Sequence, residues 1–200
     1  MNYDWEHLLK TYKSSVKVND TVLEIGASTL SRTQKLAKYC QNLIGVELLA
    51  NRIPKAKNSK IKYIIADWQN LSKKIKENSI DLAVSSHVIE HVPNDLLALK
   101  ELYRVLKPDS IALINTPNRL RLARSIIEIF TGPRKFPWWE HVREYSFDDI
   151  NKLCHDSPFS KFSITPIVFG VHAYPWYLYS KKVPRIFNKY ANFWEIILYK

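Results

Sequence analysis

The chain has 200 residues, a formal net charge of +11 and only two cysteines and four glycines. That length is one ordinary domain, able to bury roughly 70% of its unfolded surface without a disulfide or a metal. A composition 46% hydrophobic and 24% charged excludes disorder. Cys40 and Cys154 exclude a disulfide framework and a four-cysteine zinc site, and four glycines exclude the phosphate-cradling nucleotide loops.

In chain order, residues 1–18 read as an N-terminal helix without the basic and apolar regions of a signal peptide. Short β-rich runs follow at 21–25, 43–47, 61–66, 80–85 and 111–115. Between them, 31–39, 49–56 (shortened by Pro54) and 94–106 read as helices. The third is placed by Pro93 in its first turn and Pro108 beyond its end. Strands that alternate with helices and are nearly continuous in apolar residues predict a doubly wound parallel α/β sheet. After Pro117 the pattern predicts a helix at 119–130, an aromatic and Pro-rich loop at 132–140, and a helix from the Ser146 cap to about 155. Strands are expected at 162–168 and 194–199. Between these two strands an aromatic and basic insert, 174–190, shows a helical projection kinked at Pro184. No stretch approaches the 18 apolar residues of a spanning helix, so the expected location is cytoplasmic, with peripheral membrane contact left open.

Ligands of open α/β sheets bind at the carboxyl ends of the strands. There the first strand ends Glu24-Ile25-Gly26-Ala27-Ser28, the second at Glu47 and the third at Asp67-Trp68. A carboxylate at Glu47 can accept both hydroxyls of a ribose. Taken alone, Gly26 reads equally as a tight turn, Glu47 as a solvated strand end and Asp67 as a turn residue.

The ordered set of segments is more specific. Residues 80–93 (IDLAVSSHVIEHVP), 101–108 (ELYRVLKP), 111–118 (IALINTPN) and 141–146 (HVREYS) resemble class I S-adenosylmethionine-dependent methyltransferases. Within that family they are similar to the small-molecule branch that includes quinone-biosynthesis and sugar methyltransferases. The resemblance covers about 20–154 and implies a single domain, 1–200. Its cofactor-binding half would be 19–117 and its substrate half 118–200. It implies a Rossmann-like seven-stranded sheet of order 3-2-1-4-5-7-6 with strand 7 antiparallel. It also implies S-adenosylmethionine as cofactor and a small or lipid-linked acceptor methylated at oxygen or carbon. Residue by residue, Glu24 would orient the methionine ammonium, Gly26 and Ser28 would pass under the cofactor, and Glu47 would take the ribose. Asp67 and Trp68 would hold the adenine, and Ser85 and Ser86 would line the methionine part. The chain departs from the family loop at Ser28 and Leu30, and again at Asp109-Ser110, where glycines are expected. These losses bear on cofactor affinity and keep open a binding protein of the same fold that has lost catalysis.

A hydroxyl acceptor benefits from a base, and histidine is the natural one near neutral pH. His141 and His87 are the catalytic candidates, with a structural histidine as the bland alternative for each. His87, Glu90 and His91 superficially form a metal-binding helix, but the resemblance explains them without metal. Arg121, Arg143 and Tyr145 are candidate acceptor contacts, and Arg119 and Arg124 flank them. The tail, 171–200, carries nine aromatic residues and five basic ones against one acid. The insert 174–190 could pack on the domain, meet a membrane surface or form a dimer seam. Nucleic-acid methylation is the remaining alternative; against it, the charge divides evenly, +5 over 1–116 and +6 over 117–200.

Overall fold

The computed structural model describes residues 3–55, 58–132, 140–173 and 176–200. Its centre is a seven-stranded sheet of strands β1 (Thr21–Ile25), β2 (Asn42–Glu47), β3 (Ile61–Ile65), β4 (Ile80–Ser86), β5 (Leu106–Pro117), β6 (Lys161–Ile167) and β9 (Phe193–Tyr199). The order is β3-β2-β1-β4-β5-β9-β6, with β9 antiparallel to both neighbours and the first five strands parallel. This is the predicted topology, with β9 in the place of the expected strand 7.

Alternation along the strands divides the core in two. Val22, Leu43, Leu82, Val84 and Leu113 face helices α1 (Tyr3–Ser15) and α2 (Leu30–Ala37), where they meet Trp5, Leu8, Tyr12 and Leu36. Leu23, Ile25, Ala83, Ala112 and Ile114 face α3 (Asp95–Val105) and α5 (Phe147–Asp156), where Leu99, Leu102, Ile150 and Leu153 pack. Asn94 caps α3 by accepting from the Leu97 N–H. Ser146 and Asp149 close a reciprocal capping box on α5, as the sequence suggests. Both cysteines are buried and unpaired.

Three expectations need correction. The helix expected at 49–56 is one 3₁₀ turn, Ala50–Arg52, because Pro54 leaves no room for a second turn. The helix expected at 119–130 begins later, as α4 (Leu122–Thr131). The helical insert is instead a two-stranded hairpin, β7 (Phe169–Ala173) and β8 (Trp176–Ser180), followed by a 3₁₀ turn, Arg185–Tyr190. Aromatic residues favour strands, and Gly170 permits the pairing: a Cβ there would stand 2.1 Å from the Leu178 carbonyl oxygen. The aromatic loop expected at 132–140 lies largely outside the described residues, as do Tyr174 and Pro175 of the insert.

Candidate active site

The carboxyl ends of β1, β2 and β4 open onto a cavity of about 450 Å³, the size of an ordinary small-molecule site. Glu24, Gly26, Ser28, Glu47, Asp67, Trp68, Ser86 and His87 border it, so most of the sequence-predicted cofactor residues share one space. Ser85 does not. It lies on the Ala83 face of β4, buried toward α3, while Ser86 lies on the Val84 face toward the cavity.

Gly26 has φ +82°, and a Cβ there would stand 2.4 Å from Val88 Cγ2. It is the one residue of the 24–30 loop with positive φ, so Ser28 and Leu30 replace the expected glycines without left-handed strain. Asp109, at the other lost glycine, does take φ +59°, a conformation aspartate tolerates.

Glu24 is almost fully buried. Burial pushes its carboxyl up to about 8, against the pull of Thr33 and Arg32, and Glu47 adds to the rise. Its Oε2 has no hydrogen-bond partner, and neither have Ser86 Oγ and Trp68 Nε1. Glu47 is also raised by burial, although Arg52 and the backbone N–H groups of Leu48 and Ser28 favour its charged form. Asp67 accepts from the Gln69 N–H at 2.9 Å and so starts the turn that carries Trp68.

His87 ends β4 at φ +57°. Its Nε2 lies 2.6 Å from Asp4 Oδ2 on α1, and its Nδ1 lies 3.3 Å from Glu90 Oε1. Burial disfavours the imidazolium, but the two carboxylates outweigh it and raise His87 to about 10. A ring that is cationic at neutral pH takes up no proton, so this geometry argues against His87 as a base. The sequence did not single out Asp4 or its neighbour Trp5, which brings α1 to the cavity wall.

The segment 140–146 is clamped to the β4–α3 connection. The Glu90 carbonyl accepts from the N–H groups of Val142 and Arg143. Arg143 donates to the carbonyls of Val92 and Pro93 and pairs with Asp95 at 2.9 Å. The Tyr145 hydroxyl donates to Asp95 Oδ2 at 3.0 Å, with the Ile89 carbonyl 3.3 Å away. Arg121 and Arg124 both pair with the fully buried Glu144, and Arg119 pairs with Glu128. The expected acceptor contacts Arg121, Arg143 and Tyr145 therefore spend their polar groups on framework bonds and do not border the cavity. His141 also stands back from the cavity. Its Nδ1 meets Glu144 Oε1 at 3.0 Å, and its ring packs edge-on against His91, which does border the cavity.

A sheet of this order with a reversed β9, and a cavity at the ends of β1, β2 and β4, has the class I methyltransferase fold. Residues 23–114, a little under half of the chain, match the family described as "Methyltransferase domain". The chain is 26% identical over 118 residues to the mitochondrial ubiquinone biosynthesis O-methyltransferase of Rattus norvegicus, covering 55% of this chain and 34% of that protein. It is 28% identical over 106 residues to phosphoethanolamine N-methyltransferase 2 of Caenorhabditis elegans, covering 49% and 24%. The chain thus spans a quarter to a third of the length of these curated relatives. A solved S-adenosylmethionine-dependent methyltransferase from Archaeoglobus fulgidus superposes with a TM-score of 0.67 at 19% identity, covering 98% of this chain and 92% of that one.

Proposed function

We propose that the protein binds S-adenosylmethionine in the β1–β2–β4 cavity and transfers its methyl group to a small or lipid-linked acceptor, at oxygen or carbon. The observation that carries this reading is the buried Glu24 with an unpartnered oxygen beside Gly26, where nothing but a backbone without Cβ fits. A buried carboxyl of this kind suits a cationic ligand group, and the methionine ammonium is one. Glu47 would take the ribose hydroxyls, Asp67 and Trp68 the adenine, and Ser28 and Ser86 the methionine part.

The bound cofactor supplies an electrophilic methyl on a sulfonium, a leaving group that needs little help. The protein's part is positioning, which can supply much of such a rate. His87, anchored by Asp4 and Glu90, would fix the wall beside the methyl group and carry its positive charge throughout. His91, held through Nδ1 by the Glu140 carbonyl, borders the cavity, and His141, held through Nδ1 by Glu144, packs behind it. Arg121, Arg143 and Tyr145 would shape that side through Glu144 and Asp95 without touching the acceptor.

A second reading of the acceptor side is contact with a lipid surface. Leu178 and Ile186 are exposed beside Lys181, Lys182 and Arg185, an apolar and basic combination that suits anionic membranes. No helix among the described residues is long and apolar enough to cross one.

The test is transfer of a labelled methyl group from S-adenosylmethionine to a panel of phenols, sugars and amino alcohols, free or in vesicles. Label on a phenol or sugar oxygen supports the proposal. Cofactor binding without transfer to any acceptor supports the non-catalytic alternative, and label confined to amines overturns the choice of acceptor atom.

A further inference from the structure

Three metal-ligating side chains converge behind the acceptor side of the cavity. Glu90, His91 and His141 each bring one ligand atom to within 4.8 Å of the other two, the one such grouping with a histidine pair among the described residues. From sequence, Glu90 and His91 fall in a superficial metal-helix pattern with His87; His141, fifty residues from His91, belongs to no such pattern.

We propose that Glu90, His91 and His141 form a two-histidine, one-carboxylate site for a first-row divalent cation such as zinc. The donor set is the first argument: imidazole and carboxylate suit these ions. Hydrogen bonding is the second. His91 Nδ1 faces the Glu140 carbonyl at 3.0 Å, and His141 Nδ1 faces Glu144 Oε1 at 3.0 Å. Both partners are acceptors, so each Nδ1 donates, and Nε2 is the nitrogen left to offer a lone pair to a metal. A carboxylate or carbonyl behind each histidine is the support that metal-binding histidines generally have.

Glu90 is the third argument. Its side chain is fully buried, Thr116 donates to Oε2 at 3.1 Å, and Oε1 has no hydrogen-bond partner. The nearest cation to Oε1 is His87, 3.3 Å away, which is also held by Asp4. Backbone bonds from Val142 and Arg143 to the Glu90 carbonyl fix the segment bearing His141 over Glu90. Neighbouring ligands of a tetrahedral ion stand about 3.3 Å apart. Side-chain rotations that close the widest pair by about 1.5 Å would bring the set to that geometry. Three protein ligands leave a position for water or for a group of the acceptor, and His91 borders the cavity. The placement of this open position beside the acceptor rests on the methyl-transfer reading; the binding of the ion does not.

The test uses cobalt(II) as a coloured substitute for zinc on protein first stripped with a chelator. One equivalent of cobalt should give the visible band of a protein-bound ion, displaced by zinc. H141Q and H91Q should each abolish the band, E144Q should weaken cobalt binding about 10–100-fold, and H155Q should leave it unchanged. Circular dichroism checks that each variant folds, and an E144Q that does not fold leaves H141Q to decide. Absence of a band at millimolar cobalt, or a band that survives H141Q and H91Q, overturns the proposal. S-adenosylmethionine binding by the stripped protein, measured separately, keeps failure of the metal site distinct from failure of the methyl-transfer reading.

Discussion

Asp4→Asn isolates the contact that ties the N-terminal helix to the floor of the site. The Asp4–His87 pair, at 2.6 Å, is buried on the Asp4 side and 29% exposed on the His87 side. A histidine held at about 10 instead of 6.5 carries at most about 5 kcal/mol of stability in its charged form. Glu90 shares that stabilisation and solvent reaches part of the ring, so removing the Asp4 charge should cost about 2 kcal/mol near pH 6. For a chain of this size that is a drop in Tm of about 5 °C. The sign follows from linkage. A raised histidine stabilises fully below its unfolded value of 6.5, and the contribution fades as pH rises through about 10. Urea unfolding followed by tryptophan fluorescence at pH 6, 8 and 10 should show wild type and D4N converging as pH rises. A gap that stays constant from pH 6 to 10, or no gap at pH 6, would show that the Asp4–His87 ion pair does not carry this stability.

Glu24, at about 8, is largely protonated at pH 7. Binding a cationic group against it should therefore release close to one proton, seen as a buffer-dependent calorimetric enthalpy that E24Q removes. Gly26→Ala should cost about 1–2 kcal/mol for its left-handed φ alone, and more from the clash with Val88. Adding Val88→Ala should recover the clash part, read as coupling in a double-mutant cycle of unfolding free energies. Glu144 is held at about 2; burial opposes this, but His141, Arg121 and Arg124 prevail. Its stabilisation is present above 4.5 and should disappear as pH falls through about 2. Glu144→Gln, which leaves two arginines without their shared carboxylate, should cost about 3–5 kcal/mol in chemical denaturation at pH 7.

The parallel half of the sheet was legible because each of its strands is an apolar run closed by turn residues. The rim of its cavity was legible because Glu24, Gly26, Glu47 and Asp67 all fall at strand ends. Face assignment was less so: Ser85 and Ser86 are chemically alike, and only the register of β4 against β1 and β5 separates them. The roles of Arg121, Arg143 and Tyr145 were hidden because a surface cation and a buried framework cation look the same until Glu144 and Asp95 are placed opposite them. Asp4 and Trp5 lie more than eighty residues from His87, and no local pattern links them. The hairpin was misread because aromatic residues spaced along a helical projection also alternate as strands, and Pro184 hid where the strands end.

The most direct measurement is a calorimetric titration of S-adenosylmethionine into the protein and into Glu47→Ala. One site in the wild type, with affinity lost in the variant while its circular dichroism is unchanged, is the predicted result. No heat at millimolar ligand in any buffer, or equal affinity in both proteins, would contradict the account.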